Sequence, residues 1–192
     1  MSRPSAKLLA DFYELVDRLS ATRSLTESLD EILDASLKLI HADAGIIRLY
    51  NESEENFSVV AQRGFGSEHV ALVESLAPRL FSEGPSSHAF LTKERVIVED
   101  LTSHPFVATH REAYEESGVV ALQVTPLITR TQLAIGTIST YFREARVPNA
   151  EALHLLDLYA RLATDTIERE QNLSERLASE AALKQSERRF RR

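Results

Sequence analysis

The 192-residue sequence contains no cysteine and a single methionine, and it has no long apolar run. The absence of cysteine excludes disulfides, thiolate metal sites, cysteine nucleophiles and any cofactor attached through a thioether. No apolar run approaches the roughly 18 residues that a transmembrane helix needs. The first residues also lack the continuous apolar core of a secretory signal peptide. We therefore expect a cytoplasmic segment. If the segment belongs to a longer protein, a membrane anchor could lie outside it.

Positive charge is scarce as well. Lys and Arg number 22 against 29 Asp and Glu, so the formal net charge is -7. Nonspecific affinity for nucleic acid comes mainly from Lys and Arg, and this balance argues against a broad phosphate-binding surface. The hydrophobic content of 43% suffices for one packed domain of ordinary size with some additional helix. We expect a module that contacts neither nucleic acid nor membrane.

Catalytic and metal-binding motifs are missing from the sequence. None of the six histidines shows a tight metal-ligand spacing. Gly64 and Gly66 form only a short turn without the rest of a nucleotide fingerprint, and there is no Gly-x-Ser-x-Gly elbow. Nothing groups a nucleophile, a base and an orienting acid. We therefore expect no enzyme activity and no metal site in this segment.

Two amphipathic helices are predicted at the start of the chain. Apolar residues recur at helical spacing through Ser20, namely Leu8, Leu9, Phe12, Leu15, Val16 and Leu19. A second apolar stripe covers Leu25 to Ile40, and Thr26 is a candidate cap for it. The first stripe indicates a dimerisation helix.

Short strands and helices follow this pair. Alternation predicts a hairpin of Ile46 to Tyr50 with Phe57 to Ala61, a brief strand at 96–98, and a second hairpin within Ala121 to Phe142. Short helices are expected at 69–77, at 88–93 after a start at Pro85, and at 109–117 before Gly118.

Polar side chains within these strands are the candidate ligand contacts. Five of them share one sheet face only if the strand register permits it: Gln123, Thr125, Thr137, Ser139 and Tyr141. Such a face could line a small-molecule cavity, or it could be the wet side of an antiparallel sheet. Arg48 stands inside a short apolar strand, on the side of Ile46 and Tyr50. It is either a cavity cation for an acidic ligand or an arginine that reaches solvent or a nearby Glu.

A long helix is predicted from Ala150 onward, because no Gly or Pro occurs again. A two-heptad seam is formed by Leu153, Leu156, Ala160, Ala163 and Ile167, and Leu173 and Leu177 start a shifted stripe. The residues after this stripe are strongly polar, and an isolated helix of this composition would be only marginally stable in water. We expect it to pair in a homodimer or to lead into a following domain.

The ordered set of motifs resembles a GAF domain. The resembling residues are Ala-Asp-Ala-Gly at 42–45, Val-Ala-Gln-Arg-Gly-Phe at 60–65, Ala-Phe-Leu-Thr at 89–92, Val-Ile-Val-Glu-Asp-Leu at 96–101, His-Pro-Phe at 104–106, Ser-Gly-Val at 117–119, Pro-Leu at 126–127 and Ile-Gly-Thr-Ile-Ser-Thr-Tyr-Phe at 135–142. The resemblance implies an α+β fold, in which helices cover both faces of a central antiparallel sheet and a pocket lies on one face. It also implies a sensory role. The cysteine-linked chromophores and the methionine sulfoxide chemistry of some members are excluded here, so any other cofactor stays unknown.

A second, shorter resemblance concerns the end of the chain. Residues 183–191, Leu-Lys-Gln-Ser-Glu-Arg-Arg-Phe-Arg, look like the run that opens a PAS domain in sensor kinases. We therefore divide the chain into an N-terminal helix (1–24), a GAF-like sensory domain (25–170) and a signalling helix (171–192). This helix would lead to an output domain, and the parent protein would be a histidine kinase.

The leading hypothesis is a regulatory module that binds a small molecule and relays this through its last helix. The candidate ligand contacts are Arg48, Tyr50, His88, Phe90, Phe106, Gln123, Thr125, Ser139 and Tyr141. The alternative is a ligand-free dimerisation and spacer module whose pocket is filled by its own side chains. In that case the first stripe and the 153–167 seam would form the dimer interface.

Overall fold

A five-stranded antiparallel sheet forms the centre of the computed structural model, which describes residues 6–21, 24–66, 84–102, 104–105 and 111–190. The strands are β1 (Ala44–Asn51), β2 (Asn56–Arg63), β3 (Val96–Val98), β4 (Ala121–Ile128) and β5 (Ala134–Phe142). Their order across the sheet is β2-β1-β5-β4-β3. Every neighbouring pair is antiparallel, which confirms the predicted sheet.

Helices cover both faces of the sheet. They are α1 (Ala6–Ala21), α2 (Leu25–Ile40), α3 (Pro85–Thr92), α4 (Arg111–Ser117) and α5 (Ala150–Phe190). The helix predicted at 69–77 lies outside the described residues. No helix in the described ranges is long and apolar enough to cross a membrane.

The N-cap of helix α2 lies two residues before the predicted cap. The Ser24 side chain accepts a hydrogen bond of 3.2 Å from the backbone N–H of Glu27, so Ser24 is the N-cap and the choice of Thr26 was wrong. A serine directly before the first helical residue satisfies a backbone donor that has no partner within the helix. At the other end, His41 takes a left-handed conformation and the chain turns into β1.

Apolar clusters are buried on both faces of the sheet. The larger core packs α1, α2 and α5 against one face, with Leu15, Ile32, Ile138 and Ala163 fully buried. The smaller core lies beneath α3 on the other face and includes Ala89, Val98, Leu122 and Val124.

The apolar seam of α5 is used within the chain. Leu156, Ala160, Ala163 and Ile167 are all buried against the sheet and its helices. These four residues of the seam are therefore occupied within the domain, and a dimer interface through the helix stays a prediction. The stripe of α1 is likewise turned inward at Leu15, which belongs to the larger core.

One close backbone approach holds β1 against β5. A Cβ atom added at Gly136 would lie 2.2 Å from the carbonyl oxygen of Arg48, well inside van der Waals contact. Gly118 provides a matched comparison, because a Cβ added there meets nothing within 4 Å, although its φ is +67°.

We predict that Gly136→Ala lowers the free energy of unfolding by about 3 kcal/mol or more, since backbone cannot yield as a side chain can. Gly118→Ala should cost only about 1 kcal/mol, for its left-handed backbone alone. Urea denaturation of both variants measures the difference. Equal losses would contradict the close approach of β1 and β5.

Candidate functional site

Arg48 is a buried cation near the middle of the sheet. It lies on β1 directly opposite Thr137 of β5, and only 4% of its surface is exposed. Its Nη1 donates a long hydrogen bond of 3.4 Å to the Tyr141 hydroxyl. Neither the Arg48 Nε nor the Thr137 hydroxyl has a hydrogen-bond partner in the part of the chain that the structure describes. Two unsatisfied polar groups therefore lie on the same sheet face.

No carboxylate balances this charge among the described residues. Their ion pairs involve Arg18, Arg63, Arg95 and Arg130, and none includes Arg48. Arg63 makes the contrast clear, because it contacts both Asp30 and Asp34 at 3.0 Å. The hydrogen bond with Asp30 is the main cause that raises the pKa of Arg63. Buried charges are normally paired, so Arg48 is the exception in this fold.

Aromatic rings stand on the same face as Arg48. Tyr50 follows it by two residues and packs against Phe57 and Phe90, with ring centroids 5.3 Å and 4.9 Å away. On the other side, Phe65 meets the Tyr141 ring edge-on at 5.2 Å. Aromatic rings therefore share this sheet face with the buried guanidinium, and a buried setting of low dielectric strengthens charge interactions.

Helix α3 lies over this face and brings serines to it. Pro85 opens the helix at its first position after Gly84, where a missing N–H costs nothing. The Ser86 hydroxyl lies 3.5 Å from that of Ser139 on β5, and Ser87 is buried. His88 is exposed on α3, so the structure does not turn this candidate toward the buried face.

The register of β4 and β5 separates the remaining candidates. Gln123 pairs with Thr140 and Thr125 pairs with Ile138, whereas Ser139 lies opposite Val124. Since successive side chains alternate between faces, Gln123 and Thr125 point to the opposite side from Arg48. The shared face of five polar residues is therefore not formed.

The structure brings together Arg48, Tyr50, Phe90, Ser139 and Tyr141 of the predicted set. Phe106 lies outside the described residues. Sequence reasoning did not include Ser86, Tyr114 or Phe65 among the candidates. Thr137 was named with the polar strand residues but not in the final set of nine candidates, although it alternates with Ile138 in β5 and shares the face of Ser139.

Tyr114 of α4 completes the electrostatic setting. Burial raises the pKa of the Tyr114 phenol, Tyr141 raises it further, and the nearby Arg48 opposes both. The nearby Tyr114 phenol keeps its proton more firmly, so it does not supply an anion to Arg48. An arginine without a carboxylate partner has the chemistry to attract a carboxylate or another small anion, and the residues named on this face include no nucleophile beside a base.

Two clefts in the described part of the structure lie away from the candidate residues. A cleft of about 600 Å³ between α1, α2 and the start of α5 includes Lys38 and Arg146, and a smaller one of about 310 Å³ adjoins Leu25. Neither is lined by a candidate residue. Within the described ranges, no group of three or more His, Asp or Glu side chains could hold a metal ion.

Comparisons with known proteins agree with this architecture. A family model described as GAF domain matches residues 22–168. No curated protein matches the chain.

Solved structures share the fold at low sequence identity. The GAF domain from an Acinetobacter phosphoenolpyruvate-protein phosphotransferase is 17% identical with a TM-score of 0.73, over 89% of this chain and 99% of that one. A GAF domain from the corresponding Coxiella burnetii protein is 17% identical with a TM-score of 0.75, over 88% and 96%. A domain of a protein assigned as a two-component sensor histidine kinase, from Sinorhizobium meliloti 1021, is 22% identical with a TM-score of 0.67, over 81% and 98%. These identities show the fold alone.

The unbalanced charge of Arg48 predicts an unusual response to its removal. Arg48→Met deletes a buried cation that lacks a carboxylate, so we expect the free energy of unfolding to rise by about 1–2 kcal/mol. Arg63→Met deletes a paired arginine near the surface and should lower it by about 1 kcal/mol. Urea denaturation at low salt measures both. A loss of more than about 1 kcal/mol in Arg48→Met would show that Arg48 already has a partner.

The raised pKa of Tyr114 makes the free energy of unfolding depend on pH in the alkaline range. Above about pH 10 an unfolded tyrosine loses its proton, while folded Tyr114 keeps it because its pKa is raised. The stability contribution is complete below pH 10 and falls by up to about 1.4 kcal/mol per pH unit above it. Tyr114→Phe should reduce this fall between pH 10 and 12 in urea denaturation.

The matched control is Tyr13→Phe, at a ring that is 66% exposed. It should follow the wild-type curve. If both variants follow the wild-type curve, the phenol of Tyr114 is not buried as described.

Proposed function

Because the chain belongs to the GAF domain family, whose members are sensory and regulatory modules of signalling proteins, we propose that it binds a small acidic ligand at Arg48. Binding is passed through α5 to an output domain. The module itself is not catalytic, and it works in the cytoplasm as part of a sensor histidine kinase. The similar domain of the Sinorhizobium meliloti protein supports this parent class.

The buried, unbalanced Arg48 is the observation that carries the ligand proposal. An unsatisfied buried donor costs about 1–3 kcal/mol, and more when it is charged. A carboxylate about 4 Å away contributes about 4 kcal/mol at an effective dielectric constant of 20. An acidic ligand would therefore offset the free-energy cost of burying the Arg48 cation, for which the described residues provide no carboxylate. The Thr137 hydroxyl, which also lacks a partner, is a second polar contact on that face.

The surroundings of Arg48 define the class of ligand. Arginine presents a planar fork that matches a carboxylate in two-pronged geometry. Tyr50, Phe90 and Tyr141 provide ring surfaces on the same sheet face. A small carboxylic acid with a flat apolar body suits this combination, since its charge meets Arg48 and its body meets the rings.

The exposed part of α5 supports a homodimer. All residues from Arg169 to Lys184 are exposed, including Leu173 at 51% and Leu177 at 59%. These leucines and Ala181 lie four residues apart, so they form one stripe on the helix. A parallel partner helix would cover this stripe and carry the signal onward. This interface begins beyond the 153–167 seam, which the domain uses internally.

A ligand-free spacer is the second candidate function. It is favoured by the packing of Tyr50, Phe57 and Phe90, whose ring centroids are all within 5.3 Å of a neighbour. Rings that fill the face themselves leave less room for a ligand body. Binding measurements separate the two functions.

We predict that isothermal titration detects binding of benzoate, a flat carboxylate, to the wild-type chain. Benzamide has the same shape without the charge, and it should bind at least about tenfold more weakly, a difference of about 1.4 kcal/mol. Arg48→Met should weaken benzoate binding by at least about tenfold as well, because it removes the cation.

Arg63→Met is the control, since it removes a paired arginine at some distance along β2 and should leave the affinity for benzoate unchanged. Equal affinity of wild type and Arg48→Met for benzoate would contradict the site. No binding of benzoate or related aromatic acids at millimolar concentration would favour the spacer.

A further inference from the structure

Arg95 links three parts of the fold on the face opposite Arg48. Its Nε donates to the Thr125 hydroxyl on β4 at 3.1 Å. Its Nη2 donates to the Leu153 carbonyl of α5 at 3.0 Å and to the Asp157 carboxylate one turn later. One side chain thus joins the sheet to the first turns of α5.

The position of Arg95 in the chain gives this link its meaning. It follows α3 after only Lys93 and Glu94, and it directly precedes β3. Val96 pairs with Val124 and belongs to the core beneath α3. The neighbouring Arg95 points to the other face, because side chains alternate along an extended segment. The helix over the Arg48 face and the cation that contacts α5 are therefore separated by two residues at one edge of the sheet.

A buried polar chain extends this link into β5. The Thr125 hydroxyl accepts from Arg95 and also from Gln123 Nε2, at 2.5 Å. The side-chain amide oxygen of Gln123 (Oε1) accepts a hydrogen bond of 3.0 Å from the Thr140 hydroxyl. Thr140 lies between Ser139 and Tyr141, which face the Arg48 side. Both the helix over that face and the strand beneath it are thus connected to Arg95.

We propose that Arg95 is the relay residue that couples the Arg48 face to α5. Movement of α3 or β5 changes how Arg95 engages Leu153 and Asp157, and this changes how the first turns of α5 pack on the sheet. The relay rests on the proposed function for its input, a ligand that favours one of the two arrangements. The coupling itself is a property of the unliganded fold. It is reciprocal, so a change at α5 must also be felt at α3.

The chain offers a matched ion pair that lacks this connection. Arg130 in the turn between β4 and β5 lies 3.5 Å from Asp165, two turns further along α5. Arg130 is 85% exposed, and in the described part of the structure no hydrogen bond joins its side chain to Thr125 or Gln123. Asp157 is therefore paired with an arginine that also contacts the sheet at Thr125, whereas Asp165 is paired with an exposed arginine of the turn.

The first test needs no ligand. Hydrogen–deuterium exchange is measured on the full chain for wild type, Asp157→Ala and Asp165→Ala, which change the same residue type on the same helix. We expect Asp157→Ala to speed the exchange of α3 amides by about threefold, and Asp165→Ala to leave it unchanged. Unchanged exchange of α3 in Asp157→Ala, or equal effects of both variants, would overturn the relay whether or not a ligand binds.

The second test adds benzoate to wild type, Arg95→Met and Arg130→Met. We expect Arg95→Met to keep benzoate affinity within about twofold and to lose at least half of the benzoate-induced change in exchange at residues 150–161. Arg130→Met should respond as wild type does. A full response of α5 in Arg95→Met would overturn the relay. If Asp157→Ala affects α3 while benzoate does not bind, the relay stands and the ligand proposal fails.

Discussion

The pairing of β1 with β5 is the constraint on which the rest of the structure depends. Gly136 allows the two backbones to approach, and the register then places Arg48 directly opposite Thr137. Since side chains alternate, this register also sends Thr140 to the face covered by α2 and α5 and Ser139 to the face beneath α3. The same strand therefore contributes to the candidate ligand face and to the polar chain behind it.

The arginines of this protein differ in a way that supports functional assignments. Arg63 has two carboxylate partners, and Arg95 has one carboxylate with a hydroxyl and a carbonyl. Burial is the main cause that lowers the pKa of Arg95, and Asp157 opposes it. Arg48 is the most buried of the three and has only a long bond to a phenol. Local violations of polar satisfaction are expected at functional sites, and this supports Arg48 as the candidate ligand contact.

Much of the fold could be predicted from periodicity, and much of the site could not. Alternation identified the strands and placed Arg48 on the side of Ile46 and Tyr50. It could not give the register between β4 and β5, where an irregularity at Leu127 and Ile128 shifts the pairing near the turn. A shift of one residue exchanges the two faces, so the conditional grouping of Gln123 and Thr125 with Ser139 could not be decided before the register was known. Similarly, helical spacing predicts that a stripe is buried, but not whether a partner helix or the chain's own sheet covers it.

The most direct test of the account is a nuclear magnetic resonance measurement of the Arg48 Nε–H group. Its proton and nitrogen resonances are assigned by their absence in Arg48→Met and followed as benzoate is added. The account predicts a downfield shift of the Nε proton that saturates with benzoate binding, because an unsatisfied donor gains a charge-assisted hydrogen bond. An Arg48 Nε–H resonance that stays in place while benzoate binds elsewhere, or that is already shifted downfield without ligand, would contradict it.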